Sequence, residues 1–147
     1  MERSAEQRRF IKVACPRPFI SVVRCFLVLI DVSKLEVHFS DTNLTVGNRS
    51  WQIAYPILQA LIVGDKVIVL YDPDSHTEKF GQFPNLVAFS FDGEQLWKAE
   101  LPTNESQDCY YQFKYSWWNG LEADSWKSFS CKIDESNGKI KSKVFYK

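Results

Sequence analysis

Asp72, Asp74 and His76 occupy positions i, i+2 and i+4 of one polar loop, DPDSHTEKFGQFP, over residues 72–84. Alternate spacing can turn three ligands to one side, toward a hard cation or zinc, and a hydrolase could be built around such a loop. The glycine and distal glutamate of a calcium loop are missing, however, and Pro73 with Asp74 suits an ordinary turn. A solvated turn is therefore the expectation, with no metal and no cofactor. The four cysteines, Cys15, Cys25, Cys109 and Cys131, form no C-x-x-C pair, and His38 and His76 are the only histidines. Zinc-ligand spacing is absent, and the reading is four reduced thiols of a cytoplasmic protein, two or three of them buried.

Other catalytic parts are missing from the sequence. There is no G-x-S-x-G turn and no glycine-rich phosphate loop. Glu122 and Asp124 share one strand face, where a solvated pair of carboxylates is the simpler account. The chain is expected not to be an enzyme.

The residues that suit recognition are aromatic. Trp117, Trp118 and Trp126 cluster in sequence with Tyr110, Tyr111 and Tyr115. An exposed tryptophan beside tyrosine can stack on a sugar ring or anchor a protein partner. Strand alternation would send Trp117 and Trp118 to opposite sides, one buried and one exposed. The competing reading is that all of these rings fill a core. The expected binding residues are Trp117, Trp118, Tyr115, Trp126 and Tyr111, with Asp72, Asp74 and His76 of the polar loop.

Two near-copies of one hairpin must position these groups. NLVAFSFDGEQLWKAE over 85–100 and SFSCKIDESNGKIKSKVF over 128–145 each read as strand, acidic-glycine turn, strand. Each is preceded by two more strands. Around Gly64-Asp65, a continuous apolar stretch turns back as VIVLY; around Asn119-Gly120, YYQFKY turns back through residues 121–126. The result is two four-stranded units, residues 57–101 and 110–147. Short strands are also expected at 35–39, 44–46 and 51–55. No segment keeps a helical period. The fold class is all-β, with two four-stranded antiparallel meanders packed as a sandwich or a partial propeller.

The chain divides near Lys34. The 147 residues carry no net charge overall, but the first 34 hold seven basic and three acidic residues, so the remainder is acidic. An acidic body argues against a nucleic-acid groove. Residues 1–34 are expected to form an N-terminal appendage or dimerisation arm, and 35–147 the all-β domain. The apolar run FISVVRCFLVLI within the appendage is too short for a membrane span and is broken by Arg24, so no membrane partner is expected.

The succession of a strand ending in Asp72, then NLVAF, then DGEQLW resembles a blade of the quinoprotein-type β-propellers. In those blades the tryptophan packs one blade on the next, and Trp97 matches it here. The second unit departs from the pattern, with Lys141 and Ser142 where Leu-Trp would stand. Two blades cannot close a ring, so the resemblance does not imply a quinone site. VIVLYDP, NLVAF, LWKAELPT and the C-terminal ID–NG–I hairpin also resemble a group of short, uncharacterised bacterial proteins, some of them in mobile gene cassettes or beside toxin genes. That resemblance covers about residues 35–147. Its motifs are structural; the acidic body, the surplus of aromatics and the missing catalytic set are what point to a non-catalytic binding module acting on a protein partner or on a second copy of itself, of immunity or accessory type. The alternative is carbohydrate or small-ligand binding at the aromatic cluster.

Overall fold

β5 (Lys66–Tyr71) explains the architecture, because every residue after its first is buried. A strand apolar on both faces must lie between two layers. A computed structural model of the protein describes residues 34–75 and 81–147, and it shows those layers. The appendage expected at 1–34 lies, apart from Lys34, outside the described residues, as does His76.

Eleven antiparallel strands form three consecutive meanders among the described residues. β1 (Val37–Ser40), β2 (Asn43–Val46) and β3 (Arg49–Gln52) make the first sheet. β4 (Ile57–Val63), β5, β6 (Leu86–Ser90) and β7 (Gln95–Lys98) make the second. β8 (Tyr110–Ser116), β9 (Gly120–Ser125), β10 (Phe129–Ile133) and β11 (Ile140–Phe145) make the third. The two expected four-stranded meanders are present, and the short N-terminal strands add a third sheet to the stack. None of the sheets closes into a barrel or ring. The two copies of the hairpin are β6–β7 and β10–β11, the last two strands of their respective sheets.

The second sheet is the middle layer. Ile68, Leu70, Leu86, Ala88 and Trp97 pack with Tyr110, Phe113, Leu121, Ala123, Cys131 and Ile133 of the third sheet. Val67, Val69, Tyr71, Val87 and Phe89 pack on the other side, with Leu44 and Val46 of the first. The outward faces of the stack differ in kind. On the first sheet, His38, Thr45 and Ser50 form one cross-strand row and Ser40, Asn43 and Gln52 the next. On the third sheet a row reads Lys114, Glu122, Lys132, Ser142.

A tryptophan–glycine contact repeats between layers. Trp97 of β7 lies against Gly138 in the β10–β11 turn, where an added Cβ would come 2.6 Å from its ring, and its Nε1–H donates to the Glu135 carbonyl at 3.0 Å. Trp51 of β3 lies in the same way over Gly93 in the β6–β7 turn, 3.2 Å from the position of an added Cβ. Both glycines have positive φ, 88° at Gly93 and 77° at Gly138. They are required twice over, for the turn and for the room.

The second and third sheets are also joined by two amide side chains. Asn85 Nδ2 donates to the carbonyls of Tyr71 (3.0 Å) and Tyr110 (2.7 Å), and its Oδ1 accepts the Tyr110 N–H at 2.8 Å. Gln59 Nε2 donates to the Phe113 carbonyl at 2.7 Å, and its Oε1 accepts the Phe113 N–H at 3.2 Å. Both engage β8, an edge strand of its sheet. Each amide stands in for the peptide group of a neighbouring strand. Asn85 is wholly buried, so truncating it strands three buried backbone groups, on Tyr71 and Tyr110. Asn85→Ala should cost about 3 kcal/mol in urea denaturation, and the half-buried Gln59→Ala about 1 kcal/mol. A loss below about 1 kcal/mol for Asn85→Ala would show that the amide seam is dispensable.

Candidate functional site

The β8–β9 connection carries the two most exposed aromatic residues described. Trp117 is 85% exposed and Trp118 71%. They sit edge to face, ring centroids 5.5 Å apart and planes 83° apart. Neither is buried: both lie in the turn, not in a strand, so the pleat does not send them to opposite faces. The turn itself is held. The Ser116 carbonyl accepts the Asn119 N–H at 3.3 Å, and Gly120 takes a φ of 76° to start β9. Asn119 donates to Glu122 Oε2 at 3.3 Å and accepts from Lys132 Nζ at 3.1 Å, while Lys114 pairs with Glu122 at 3.5 Å. Two apolar rings therefore project from a polar, hydrogen-bonded base.

The other aromatic residues expected at the site do not join this pair. Tyr115 is partly buried against the core between the second and third sheets. Trp126, 60% exposed, lies beyond the far end of β9, where its N–H donates to the Cys109 carbonyl at 3.0 Å. The six residues of β9 place it about 20 Å from the Trp117 turn. Tyr111 belongs with Trp126: it is the extra residue of a bulge in β8, and its hydroxyl meets that of Tyr146 at 2.5 Å. The sequence cluster is thus two surfaces at opposite ends of one sheet. Sequence reasoning missed Tyr146, which lies 35 residues along the chain from Tyr111 and meets it only through the folding of the sheet.

The Asp72 loop forms a turn. Asp72 Oδ1 accepts the Asp74 N–H at 3.0 Å, and the Asp72 carbonyl accepts the Ser75 N–H at 3.0 Å, across a 3-10 turn at Pro73–Ser75. One carboxylate of the expected set is thereby engaged with its own backbone. Among the described residues, no group of three His, Cys, Asp or Glu side chains is placed to hold a metal ion.

The buried thiols and phenols are held neutral. The Cys109 thiol is pushed up to about 11, first by burial and then by the charges of Asp108 and Asp74. Burial also raises Cys131. Neither thiol is a thiolate at neutral pH, and both are free and buried. Burial pushes Tyr71 up to about 12, with Tyr55 adding to the shift, and raises Tyr110 further. Tyr146 is pushed up to about 12 chiefly by its bond with Tyr111. Asp108 was not anticipated. It is fully buried, with Oδ2 accepting from Thr103 Oγ1 at 2.7 Å, and the backbone around it joins the loop before β8 to Phe83.

Residues 34–145 match the model of a domain of unknown function, DUF7957. The chain belongs to that family. The match covers all three sheets, so the family domain includes the whole described stack. No curated protein and no solved structure matches the chain. Among the described residues, no helix is long and apolar enough to cross a membrane.

The tyrosine shifts fix the sign of the alkaline response. Unfolded tyrosines lose their protons near pH 10.0, while Tyr71 and Tyr146 hold theirs in the folded state to about 12. The resulting stabilisation is complete below pH 10 and is lost as the pH rises to about 12. The melting temperature should fall across that interval, and Tyr71→Phe should flatten the fall. Phenolate absorbance from all six tyrosines rising together near pH 10, with the protein still folded, would contradict the assignment.

Proposed function

We propose that this domain is a non-catalytic binding module that acts by protein–protein contact, with Trp117 and Trp118 as its anchor. One observation carries the reading: two adjacent indoles are kept in solvent at the tip of a turn whose base is fixed by hydrogen bonds and ion pairs. Exposed tryptophan costs solvation and brings no core packing. Its gain comes when a partner covers it, and tryptophan is prominent among the residues that dominate interface energetics. A rigid base reduces the ordering cost of that contact.

The partner is a protein rather than a nucleic acid, because among the described residues the tip offers no cluster of cations: Lys114 is engaged with Glu122 and Lys132 with Asn119. The finer reading is a cytoplasmic bacterial accessory or immunity-type protein carried on a mobile element, which occludes a toxin or enzyme surface. Its sheets derive from propeller-like blades. The tryptophan–glycine contact made twice between layers supports that lineage.

Co-expression with the product of each neighbouring gene tests the function. One product should co-purify as a stoichiometric complex. Trp117→Ala and Trp118→Ala should each weaken it by about 2 kcal/mol or more in calorimetry, while unfolding stability stays within about 0.5 kcal/mol of the parent protein. Wild-type affinity in both variants would remove the anchor. A large loss of stability would make the pair structural.

A further inference from the structure

The outward face of the third sheet changes character along its length. Near the Trp117 turn it carries the row Lys114, Glu122, Lys132, Ser142. Toward the other end it becomes aromatic. Ser125 is buried, so alternation turns Trp126 outward. Tyr111 and Tyr146 stand at the same end, on the first and last strands of the sheet.

Their geometry is informative. β8 and β11 are three strand spacings apart, about 14 Å before sheet twist brings the corners closer. The two tyrosine side chains nevertheless meet at 2.5 Å through their hydroxyls. Side chains that stood away from the sheet could not close that gap. Both rings therefore lean inward along the surface and form a bar across the sheet, with exposed Trp126 at the same end. In the next cross-strand row, Gln112 Nε2 donates to Asp124 Oδ2 at 2.6 Å, leaving the other carboxylate oxygen and the amide oxygen to accept further bonds.

A hydroxyl-linked tyrosine pair beside an amide–carboxylate couple matches a particular ligand chemistry. A pyranose ring offers an apolar C–H face and a rim of hydroxyls. We infer that Tyr111, Trp126 and Tyr146, with Gln112 and Asp124, form an oligosaccharide-binding platform on the outer face of the third sheet. The charge of the patch favours this occupant. Of these five residues Asp124 is the acidic one, and a carboxylate accepts hydroxyl protons well. A second copy of the chain is a poorer fit. Self-association needs a largely apolar core of about 800 Å² per partner, and here the row beside the rings is polar at Gln112, Asp124 and Ser130, with Val144 the apolar residue at its end. This platform does not depend on the Trp117–Trp118 contact and lies at the opposite end of the sheet.

The test uses the full chain with Trp117 and Trp118 both changed to alanine, so that fluorescence reports on Trp126 above two core tryptophans. Cellohexaose, chitohexaose and mannohexaose are titrated to millimolar concentration, with calorimetry in parallel on the parent protein. At least one should shift the emission and bind the parent and the double variant equally. Trp126→Ala should lower affinity about tenfold, and Tyr111→Phe or Tyr146→Phe should lower it by a smaller factor. No binding by any of the three, or binding unaffected by Trp126→Ala, overturns the platform. So does a parent dimer that sediments as a monomer once Trp126 is replaced, since the face would then be a self-interface.

Discussion

The fold depends on how an edge strand is satisfied across a sheet boundary. β8 begins the third sheet and has a strand partner on one side only. Its other side faces the second sheet, where bare peptide groups would be costly. Asn85 and Gln59 meet that demand with side-chain amides placed as a further strand would place its backbone. Two sheets packed by apolar contact alone could slide. Amide pairs at Tyr110 and Phe113 fix the register and keep the layers in one alignment.

Two bulges make the seam possible. Residues i and i+2 of a regular strand share a face, yet Ile57 packs toward the first sheet while Gln59 reaches the third. The irregularity between Ile57 and Gln59 inserts Leu58 and re-aims everything after it. In the same way, Tyr110 enters the core while Gln112 pairs with Asp124 on the outer face, because Tyr111 is the inserted residue between them. Removing either bulge would turn the following side chains to the wrong layer. The bulge that seats Tyr110 under Asn85 also places Tyr111 at the surface, so the core contact and the surface tyrosine share one local cause.

The class of fold was legible because strand alternation and acidic-glycine turns are local signals. β9 shows it plainly: Leu121, Ala123 and Ser125 are buried and the residues between them are not. The first sheet was legible only as loose strands, since its short elements, four residues each, give too little alternation to show what they pack on. The third strand, expected at 51–55, occupies Arg49–Gln52, because the tight turn at Gly47 and Asn48 pairs Val46 directly with Arg49 and starts the strand there. The candidate site was legible by residue type but not by grouping. The turn and the β10–β11 hairpin had local signals, but the bulge at Tyr111, which decides which aromatic side chains meet, has no short-range signature.

Tryptophan shows why composition alone could not separate structure from recognition here. Trp51 and Trp97 lie over Gly93 and Gly138, each in a turn of the next sheet. Trp117, Trp118 and Trp126 have no such glycine, and all three are exposed by more than half. The same side chain is a layer clamp where a missing Cβ gives it a seat, and a surface group where nothing does. The third sheet is the last of the described stack, and Lys141 and Ser142 occupy its outer strand where Trp97 lies in the second. Its tryptophans are therefore not used for stacking. They remain in its turns, facing solvent, where a partner can reach them.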